Sequence, residues 1–241
     1  MDSGSRSGME PVMEPGTGGR LRDLRGKRFI ASYSGGKDSI LAIFRAINAG
    51  MEPLGLITTH NTDEGRSWFH GMNEDILRGV SDSLNIPLTL IKTTGEAYAE
   101  SFEAALADAK GMGAEVCVFG DIDIEGHLKW CTERCEKTGL IPLFPLLKEN
   151  RKKLVYEFID AGFSAIIKII DTSRLQGDFL GRVLSREVAD EIEKSGADIC
   201  GENGEYHTFV YDGPLFSQKV DITVKKKLVK GKYEVLDIDT A

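Results

Sequence analysis

The chain has 241 residues, 41% of them hydrophobic and 28% charged, which is the composition of an ordinary globular protein. Its 30 basic and 38 acidic residues give a net charge of −8, which argues against a protein that binds a bare nucleic-acid backbone directly. No apolar stretch approaches the roughly 20 residues of a membrane span, so we expect no membrane partner and a cytoplasmic location.

The predicted elements divide the chain into three parts. Residues 1–19 are rich in Gly, Ser, Pro and Met and are predicted to be a disordered lead-in. Residues 20–138 alternate apolar strands with amphipathic helices, which predicts an α/β fold whose parallel sheet carries helices on both faces. The predicted strands are 29–33, 53–58, 88–92 and 115–119, and the predicted helices are 38–49, 72–84 and 97–112.

Residues 139–241 show a different pattern and predict a smaller α+β lobe that binds the substrate. We expect a helix over 152–161, a β-branched strand over 165–170, and a helix over 185–195 with Ser185 as its N-cap. The sequence Lys230-Gly231-Lys232 is typical of a hairpin turn between two late strands. The active site is then expected in the cleft between the two parts.

A glycine-rich loop follows the first predicted strand and precedes the first predicted helix. It reads Ser34-Gly35-Gly36-Lys37-Asp38-Ser39. Adjacent glycines let backbone N–H groups converge on an anion, the hydroxyls and Lys37 add donors, and the helix N-terminus adds partial positive charge. A Walker-type loop separates its glycines by four residues, so this is a different phosphate site. It resembles the PP-loop of ATP pyrophosphatases, which cleave ATP between the α- and β-phosphates.

Other polar groups stand where predicted parallel strands end, the edge at which ligands bind in such sheets. Thr58 and His60 follow the second strand, and Gly120 and Asp121 follow the fourth. Gly120 allows close backbone approach to a ligand, and Asp121 or Asp123 could hold Mg²⁺, which prefers oxygen ligands. The polar segment between His60 and His70 fits either a lid or an ordinary solvated loop.

The densest polar cluster lies late in the chain, over Cys200-Gly201-Glu202-Asn203-Gly204-Glu205-Tyr206-His207-Thr208. Glycines at this spacing favour a sharp loop that exposes its side chains, and no packing requirement explains so many polar groups between apolar flanks. We expect His207 and Glu205 on the same side of an extended segment. The four cysteines lack zinc-site spacing and are expected to be small buried residues.

These motifs together resemble the diphthine–ammonia ligase family, a branch of the PP-loop ATP pyrophosphatases, over residues 27 to about 220. The string from Glu202 to Thr208 is the most specific part. The resemblance implies an adenine-nucleotide α-hydrolase-like domain and an AMP-forming reaction with ATP, Mg²⁺ and free ammonium. Diphthine on elongation factor 2 would be adenylated at its carboxylate and then amidated, the last step of diphthamide biosynthesis.

The resemblance also implies roles for particular residues. The nucleotide would be held by residues of the loop and of the strand ends, namely Ser34, Gly35, Gly36, Lys37, Asp38, Ser39, Thr58, His60, Gly120 and Asp121. Catalysis would fall to Lys37, Asp38, Glu202, Asn203, Glu205 and His207, and the metal to Asp38 and Asp121. Self-association into a homodimer is left open.

Three alternatives remain open on the sequence. The same chemistry could act on another carboxylate in bacteria, for example in corrinoid metabolism. An RNA-modifying PP-loop enzyme would need basic surface, and a thiolase would need reactive cysteines. A non-catalytic ATP or AMP sensor would use the same fold but gives no reason for the polar loop at Glu202–His207.

Overall fold

The computed structural model describes residues 21–68 and 70–240, so the predicted disordered segment 1–19 lies outside the described residues. Ten strands and six α-helices make up most of the described chain. The strands are β1 (Arg28–Ser32), β2 (Glu52–Asn61), β3 (Arg66–Ser67), β4 (Leu88–Thr93), β5 (Val116–Val118), β6 (Ile141–Leu143), β7 (Ser164–Asp171), β8 (Tyr206–Asp212), β9 (Ile222–Lys230) and β10 (Tyr233–Thr240). The helices are α1 (Lys37–Asn48), α2 (Glu74–Leu84), α3 (Tyr98–Gly111), α4 (Glu125–Thr138), α5 (Arg151–Asp160) and α6 (Arg186–Lys194).

The first sheet is parallel in the order β4-β2-β1-β5-β6, with the short antiparallel β3 beside the end of β2. Neighbouring residues of β1 face opposite sides: Phe29 packs in one apolar core and Ile30 in the other. Both faces of the sheet are therefore covered, as the predicted α/β fold requires. Within the described residues, no helix is long and apolar enough to cross a membrane.

The strand order reverses between β1 and β5, since β2 continues the chain on one side of β1 and β5 lies on the other. Loops that leave such a point diverge to opposite faces and open a crevice at the carboxyl ends of the strands. The loop after β1 is the Ser34–Ser39 sequence, and the loop after β5 begins with Gly120 and Asp121. The fold thus brings together two motifs that are about eighty residues apart in the sequence.

The second sheet is antiparallel, in the order β8-β7-β10-β9. The predicted hairpin is confirmed, because Lys230 pairs with Tyr233 across a turn of Gly231 and Lys232. A backbone hydrogen bond connects this sheet to the loop after β1: the N–H of Val210 in β8 donates to the carbonyl of Gly35 at 2.9 Å. One apolar core runs through both, with Met72 and Phe209 among its fully buried members.

Element boundaries differ from the sequence prediction where local capping and pairing decide them. Helix α2 begins at Glu74 rather than at residue 72, because the side chain of Asn73 caps it by accepting from the N–H of Ile76 at 2.9 Å. Strand β2 runs three residues past its predicted end, because β3 and β4 both pair with its last residues. Ser185 caps α6 as predicted, accepting from the N–H of Val188.

Candidate active site

The glycine-rich loop forms a compact anion-binding turn at the start of α1. Gly35 has φ +90°, a conformation that favours glycine, and Gly36 is the N-cap residue of the helix. Ser39 Oγ donates to the carbonyl of Gly36 at 2.9 Å and lies 3.2 Å from Ser34 Oγ. The N–H of Gly36 donates to Ser34 Oγ at 3.3 Å. Donors are thus gathered at the positive end of a helix, as a polyphosphate requires.

Lys37 is the charged centre of this loop, although it is only 4% exposed. Its Nζ donates to Asp38 Oδ2 at 2.8 Å and to the carbonyl of Cys200, and it lies over the ring of Tyr206. Burial alone would lower the pKa of Lys37, but the neighbouring Asp38 carboxylate outweighs it and the pKa is raised. Lys37 therefore stays protonated and links the phosphate loop to the Cys200–Thr208 loop.

Two glycines permit the close contacts that shape the crevice. A Cβ on Gly120 would lie 2.7 Å from the N of Ser39 and 2.8 Å from the carbonyl carbon of Asp38. A Cβ on Gly36 would lie 2.5 Å from Cε1 of His70. Real Cβ atoms do not approach other atoms so closely, so each position requires glycine. The end of β5 and the segment before α2 therefore both press directly on the start of α1.

Three carboxylates face the mouth of the phosphate loop. Burial, together with the charges of Asp38 and Asp121, raises the pKa of Glu202 to about 7. Asp121 Oδ1 lies 3.6 Å from Nδ1 of His127, and the neighbouring Asp121 carboxylate raises the pKa of that imidazole. Glu202 thus titrates near neutral pH, where a carboxylate can both accept and release a proton.

The polar loop after Cys200 is held in shape by its own carboxylates. Asp198 accepts from the N–H groups of Cys200 and Glu202, at 3.2 and 3.0 Å. The buried Glu205 accepts from the N–H of Asn203 at 3.1 Å and from its side-chain amide at 3.3 Å. The Glu205 carboxylate is therefore engaged in closing the loop, and Glu202 is the carboxylate that reaches the phosphate-loop charges.

Arg151, the first residue of α5, ties this loop to the segment after β5. It contacts Asp123 through two nitrogens, at 2.6 and 3.0 Å, and Asp198 at 2.6 Å. A further nitrogen–oxygen contact of 3.5 Å reaches the side chain of Asn203. A guanidinium that bridges two carboxylates fixes both in orientation as well as in distance. Arg151 thereby sets the position of the loop that carries Glu202.

His207 lies against a second histidine that sequence reasoning did not place in the site. The rings of His70 and His207 are 4.9 Å apart, and His70 Nδ1 donates to the carbonyl of Thr208 at 2.9 Å. Burial, and then the charge of Lys37, lowers the pKa of His207 to about 4, so this imidazole is neutral at pH 7. Burial and His207 likewise lower the pKa of His70.

A small enclosed pocket opens beside the phosphate loop. It is lined by Ser32, Tyr33, Ser34, Thr58, Thr59, Ser67, Trp68 and Tyr98. The rings of Trp68 and Tyr98 meet edge to face at 5.7 Å, and the indole N–H of Trp68 is buried without a partner among the described residues. Aromatic walls with an unused buried donor suit a heteroaromatic ring that carries acceptors.

The two predicted nucleotide residues of β2 behave differently. Thr58 lines this pocket, and its hydroxyl donates to the carbonyl of Tyr33 at 2.6 Å. His60 is buried, lies outside the residues that line the pocket, and has no partner for either ring nitrogen in the described part of the chain. The described cysteines Cys117, Cys131, Cys135 and Cys200 are free and buried, as expected.

Sequence reasoning missed Arg151, Trp68 and Tyr98. Arg151 lies in a charged run from Lys148 to Lys153 that is typical of a solvated helix start, and neither Trp68, inside the polar segment between His60 and His70, nor Tyr98 belongs to a motif of its own. The sequence marks His70 only as one end of a polar segment. Across residues 21–68 and 70–240, no group of three or more His, Cys, Asp or Glu side chains is arranged to hold a metal ion.

The chain is similar to known proteins over most of its length. A family model described as the diphthamide synthase N-terminal domain matches residues 27–142, and one described as the diphthamide synthase C-terminal domain matches residues 150–241. The chain is 24% identical to a diphthine–ammonia ligase of Danio rerio over 233 residues, which are 84% of this chain and 89% of that protein.

A second relative and a solved structure extend the comparison. A diphthine–ammonia ligase of Schizosaccharomyces pombe is 24% identical over 238 residues, 86% of this chain but only 38% of that longer protein. A structure titled as a predicted subunit of tRNA methyltransferase from Methanocaldococcus jannaschii aligns with a TM-score of 0.43 and 14% identity, covering 80% of this chain and 100% of that one. The two matching models together span most of the sequence, and the chain belongs to the diphthamide synthase family.

Proposed function

We propose that this member of the diphthamide synthase family is an ATP-dependent ligase that converts a carboxylate into an amide. A carboxylate oxygen of the acceptor attacks the α-phosphorus of ATP, which gives an acyl-adenylate and releases pyrophosphate. Ammonia then attacks the acyl carbon, loses a proton and displaces AMP. The observation that carries the proposal is Lys37, which joins the phosphate loop to the Cys200–Thr208 loop through the carbonyl of Cys200.

The phosphate loop supports cleavage between the α- and β-phosphates. Negative charge develops on the leaving pyrophosphate, and groups already pointing at that position stabilise it without reorganising. The hydroxyls of Ser34 and Ser39, the N-terminus of α1 and the protonated Lys37 supply that environment. In the free protein these hydroxyls bond to one another, and a bound phosphate would replace those bonds.

The pocket beside the loop suits the adenine. Ser34 of the phosphate loop is one of its lining residues, and Trp68 and Tyr98 supply aromatic walls. The unpartnered indole N–H of Trp68 can donate to an adenine nitrogen, and hydroxyls of the same lining can bind the ribose. The nucleotide would then lie along the switch point between β1 and β5, with its α-phosphate at the mouth of the crevice.

Glu202 is the group best placed to handle the proton of the attacking amine. Its pKa of about 7 leaves it largely ionised at pH 7.5, so it can hold ammonium and then take its proton. The neutral His207 adds a polar surface that does not repel an incoming cation. Asn203 and Glu205 shape the loop that presents Glu202, since their side chains bond to each other.

Mg²⁺ fits the charge balance of the site. Asp38 and Asp121 both raise the pKa of Glu202, so negative charge is concentrated at the mouth of the phosphate loop even though Asp38 is paired with Lys37. Hard oxygen ligands of this kind suit Mg²⁺, and two carboxylates plus substrate phosphates are its usual partners. Asp38 and Asp121 would hold the ion, which would neutralise part of the phosphate charge when bound.

The names of the relatives support a proposal for the acceptor. The relatives are named diphthine–ammonia ligases, and we extend that substrate, the diphthine of elongation factor 2, to this chain. Free ammonium is the proposed nitrogen donor, and no nucleic acid is needed by the chemistry. The net charge of −8 supports a protein acceptor over an RNA acceptor.

The test is incorporation of nitrogen-15. Diphthine-bearing elongation factor 2 is incubated with the protein, ATP, Mg²⁺ and nitrogen-15 ammonium, and the acceptor peptide is analysed by mass spectrometry. We expect one nitrogen-15 in a new amide at the diphthine side chain. No label in the acceptor, with AMP formed nonetheless, would assign the nitrogen or the acceptor to another reaction.

A further inference from the structure

One buried lysine is unused by this chemistry. Lys168 in β7 is 0% exposed, and among the described residues it forms no ion pair with a carboxylate. Its Nζ donates instead to the backbone carbonyls of His70 at 2.9 Å and Gly71 at 3.3 Å. Burying an ammonium costs several kcal/mol unless its surroundings compensate, so a lysine at this position requires a reason.

Those two carbonyls belong to a tight turn that we call the His70 turn, formed by Ser67, Trp68, His70, Gly71 and Met72. The N–H of Ser67 donates to the carbonyl of Met72 at 2.8 Å, and the N–H of Gly71 donates to the carbonyl of Ser67 at 3.1 Å. The N–H of Met72 donates to Ser67 Oγ at 2.9 Å. Three hydrogen bonds therefore link the described residues of this turn to one another.

The same turn contributes to both halves of the nucleotide site. Trp68 lines the aromatic pocket, and its backbone N–H donates to the carbonyl of Thr59 at 3.2 Å. His70 presses against Gly36 of the phosphate loop and donates to the carbonyl of Thr208. A shift of the turn would thus move the pocket wall and the phosphate loop together.

Arg66 provides a second cation on this turn. Its Nη1 donates to the carbonyl of Gly71 at 3.1 Å, and its Nη2 donates to Asp237 Oδ1 of β10 at 2.6 Å. Gly71 therefore accepts from Lys168 and Arg66 at once. Lys168 lies in β7, which is the neighbour of β10 in the same sheet. The second sheet therefore contacts the turn at two points, directly through Lys168 and through the pair of Asp237 with Arg66.

We propose that Lys168 is a positioning residue for the nucleotide, fixing the His70 turn so that Trp68 and His70 form the pocket wall and the support of the phosphate loop. Its effect on kinetics rests on the proposed function. Its effect on the turn does not, because the hydrogen bonds exist in the free protein. The two effects can therefore be measured separately.

Hydrogen exchange of the free protein tests whether Lys168 holds the His70 turn in place. In Lys168→Met, we expect the amides of Ser67, Gly71 and Met72 to exchange roughly ten- to hundredfold faster, while the amide of Ile30 in β1 stays protected. Unchanged exchange at the three amides would overturn the proposal. If the β1 amides also lose protection, Arg66→Met decides, because its half-exposed side chain can be removed with little effect on the core. Faster exchange of the Gly71 amide in this variant supports the proposal that the turn is fixed through the carbonyl of Gly71. Unchanged exchange of that amide contradicts the proposal.

Kinetics then test the positioning. We expect Lys168→Met to raise the KM for ATP roughly tenfold while kcat stays within about threefold, because the reacting groups remain in place. Lys225→Met, which removes an exposed lysine of the same sheet, should match the wild type. A fall in kcat with KM unchanged would contradict the proposal. Absence of turnover in the wild type would refute the proposed function and leave the exchange result standing.

The pH profile gives an independent readout. Burial, and then Arg66, lowers the pKa of Lys168 to about 8, and a neutral amine is a weaker donor than an ammonium. The charged and titratable groups around it are Arg66, Asp237, Lys230, His70 and His207. The KM for ATP should rise above about pH 8 in the wild type and stay flat in Lys168→Met. The same rise in both proteins would count against Lys168.

Discussion

The backbone N–H of Lys37 donates to Thr208 Oγ1 at 3.0 Å, so a side chain of the second sheet caps the helix that begins at the phosphate loop. Lys37 is the first residue of α1, whose N-terminal N–H groups have no partner within the helix. Both residues are buried. The two sheets are therefore joined at the point where the phosphates of ATP are proposed to bind.

Replacing Thr208 with Val should weaken this junction. Valine keeps the shape of threonine but leaves the buried N–H of Lys37 unpaired, which costs about 1–3 kcal/mol. We expect a lower free energy of unfolding in urea and a higher KM for ATP. Thr208→Ser keeps the hydroxyl and is the matched control. Equal stability of the Val and Ser variants would show that the bond contributes nothing.

Gly120→Ala should damage the site through contact alone. The new Cβ would lie within 3 Å of three backbone atoms of Asp38 and Ser39, and overpacking of this kind costs about 1–3 kcal/mol. We expect a lower melting temperature and weaker ATP binding by calorimetry. Gly126→Ala in α4 meets nothing within 4 Å and should instead stabilise by about 0.5–1 kcal/mol. Normal ATP binding by Gly120→Ala would contradict the close contact between Gly120 and the start of α1.

Glu202→Gln should separate stability from activity. The raised pKa of about 7 means that the folded protein retains a proton between about pH 4.5 and 7 that the unfolded chain has lost. Ionised Glu202 therefore destabilises the fold progressively as pH rises through this window, and fully above it. At pH 8 the variant should be more stable by about 1–2 kcal/mol, after allowance for solvent screening.

The same substitution should abolish most of the amidation. Glutamine cannot take a proton from ammonium, so we expect AMP and amide formation to fall roughly 10²–10⁴-fold. Chemical denaturation at pH 5 and pH 8 measures the stability difference, which should shrink toward pH 5. A variant with full activity, or one less stable than the wild type at pH 8, would contradict the role given to Glu202.

Arg151→Met should loosen the loop that carries Glu202. Without the guanidinium, Asp123 and Asp198 lose the group that holds them in place. Misplacement of a catalytic group by about 1 Å can cost roughly a hundredfold, so we expect kcat to fall ten- to hundredfold with ATP binding retained. Arg186→Met, which breaks the exposed pair with Asp160, is the control and should match the wild type. An unchanged kcat in Arg151→Met would show that the contacts of Arg151 with Asp123 and Asp198 do not contribute to catalysis.

The local signals in the sequence predict much of the fold and the centre of the site. Period-3.6 and β-branched patterns locate the elements, and the adjacent glycines at 35 and 36 mark the phosphate loop. These signals work because the chemistry is encoded in neighbouring residues. The polar string from Glu202 to His207 is visible for the same reason.

The parts that the sequence did not reveal depend on contacts between distant segments. The sequence does not show that Glu205 turns inward to Asn203, because the direction of its side chain depends on the fold of the loop. Arg151 and Lys168 gain their roles only from partners 28 to 98 residues away. The observed helix starts differ from the predicted ones for a local reason. A single capping residue such as Asn73 fixes the first residue of a helix, whatever the apolar periodicity indicates.

Product analysis with ATP labelled at the α-phosphate tests whether this protein cleaves ATP between the α- and β-phosphates to amidate its acceptor. The protein would be incubated with Mg²⁺ and ammonium, with and without elongation factor 2 that bears diphthine. We expect labelled AMP only when that acceptor is present, with pyrophosphate in equal amount. Labelled ADP, or no labelled AMP with any carboxylate acceptor tried, would contradict cleavage between the α- and β-phosphates and with it the proposed ligase.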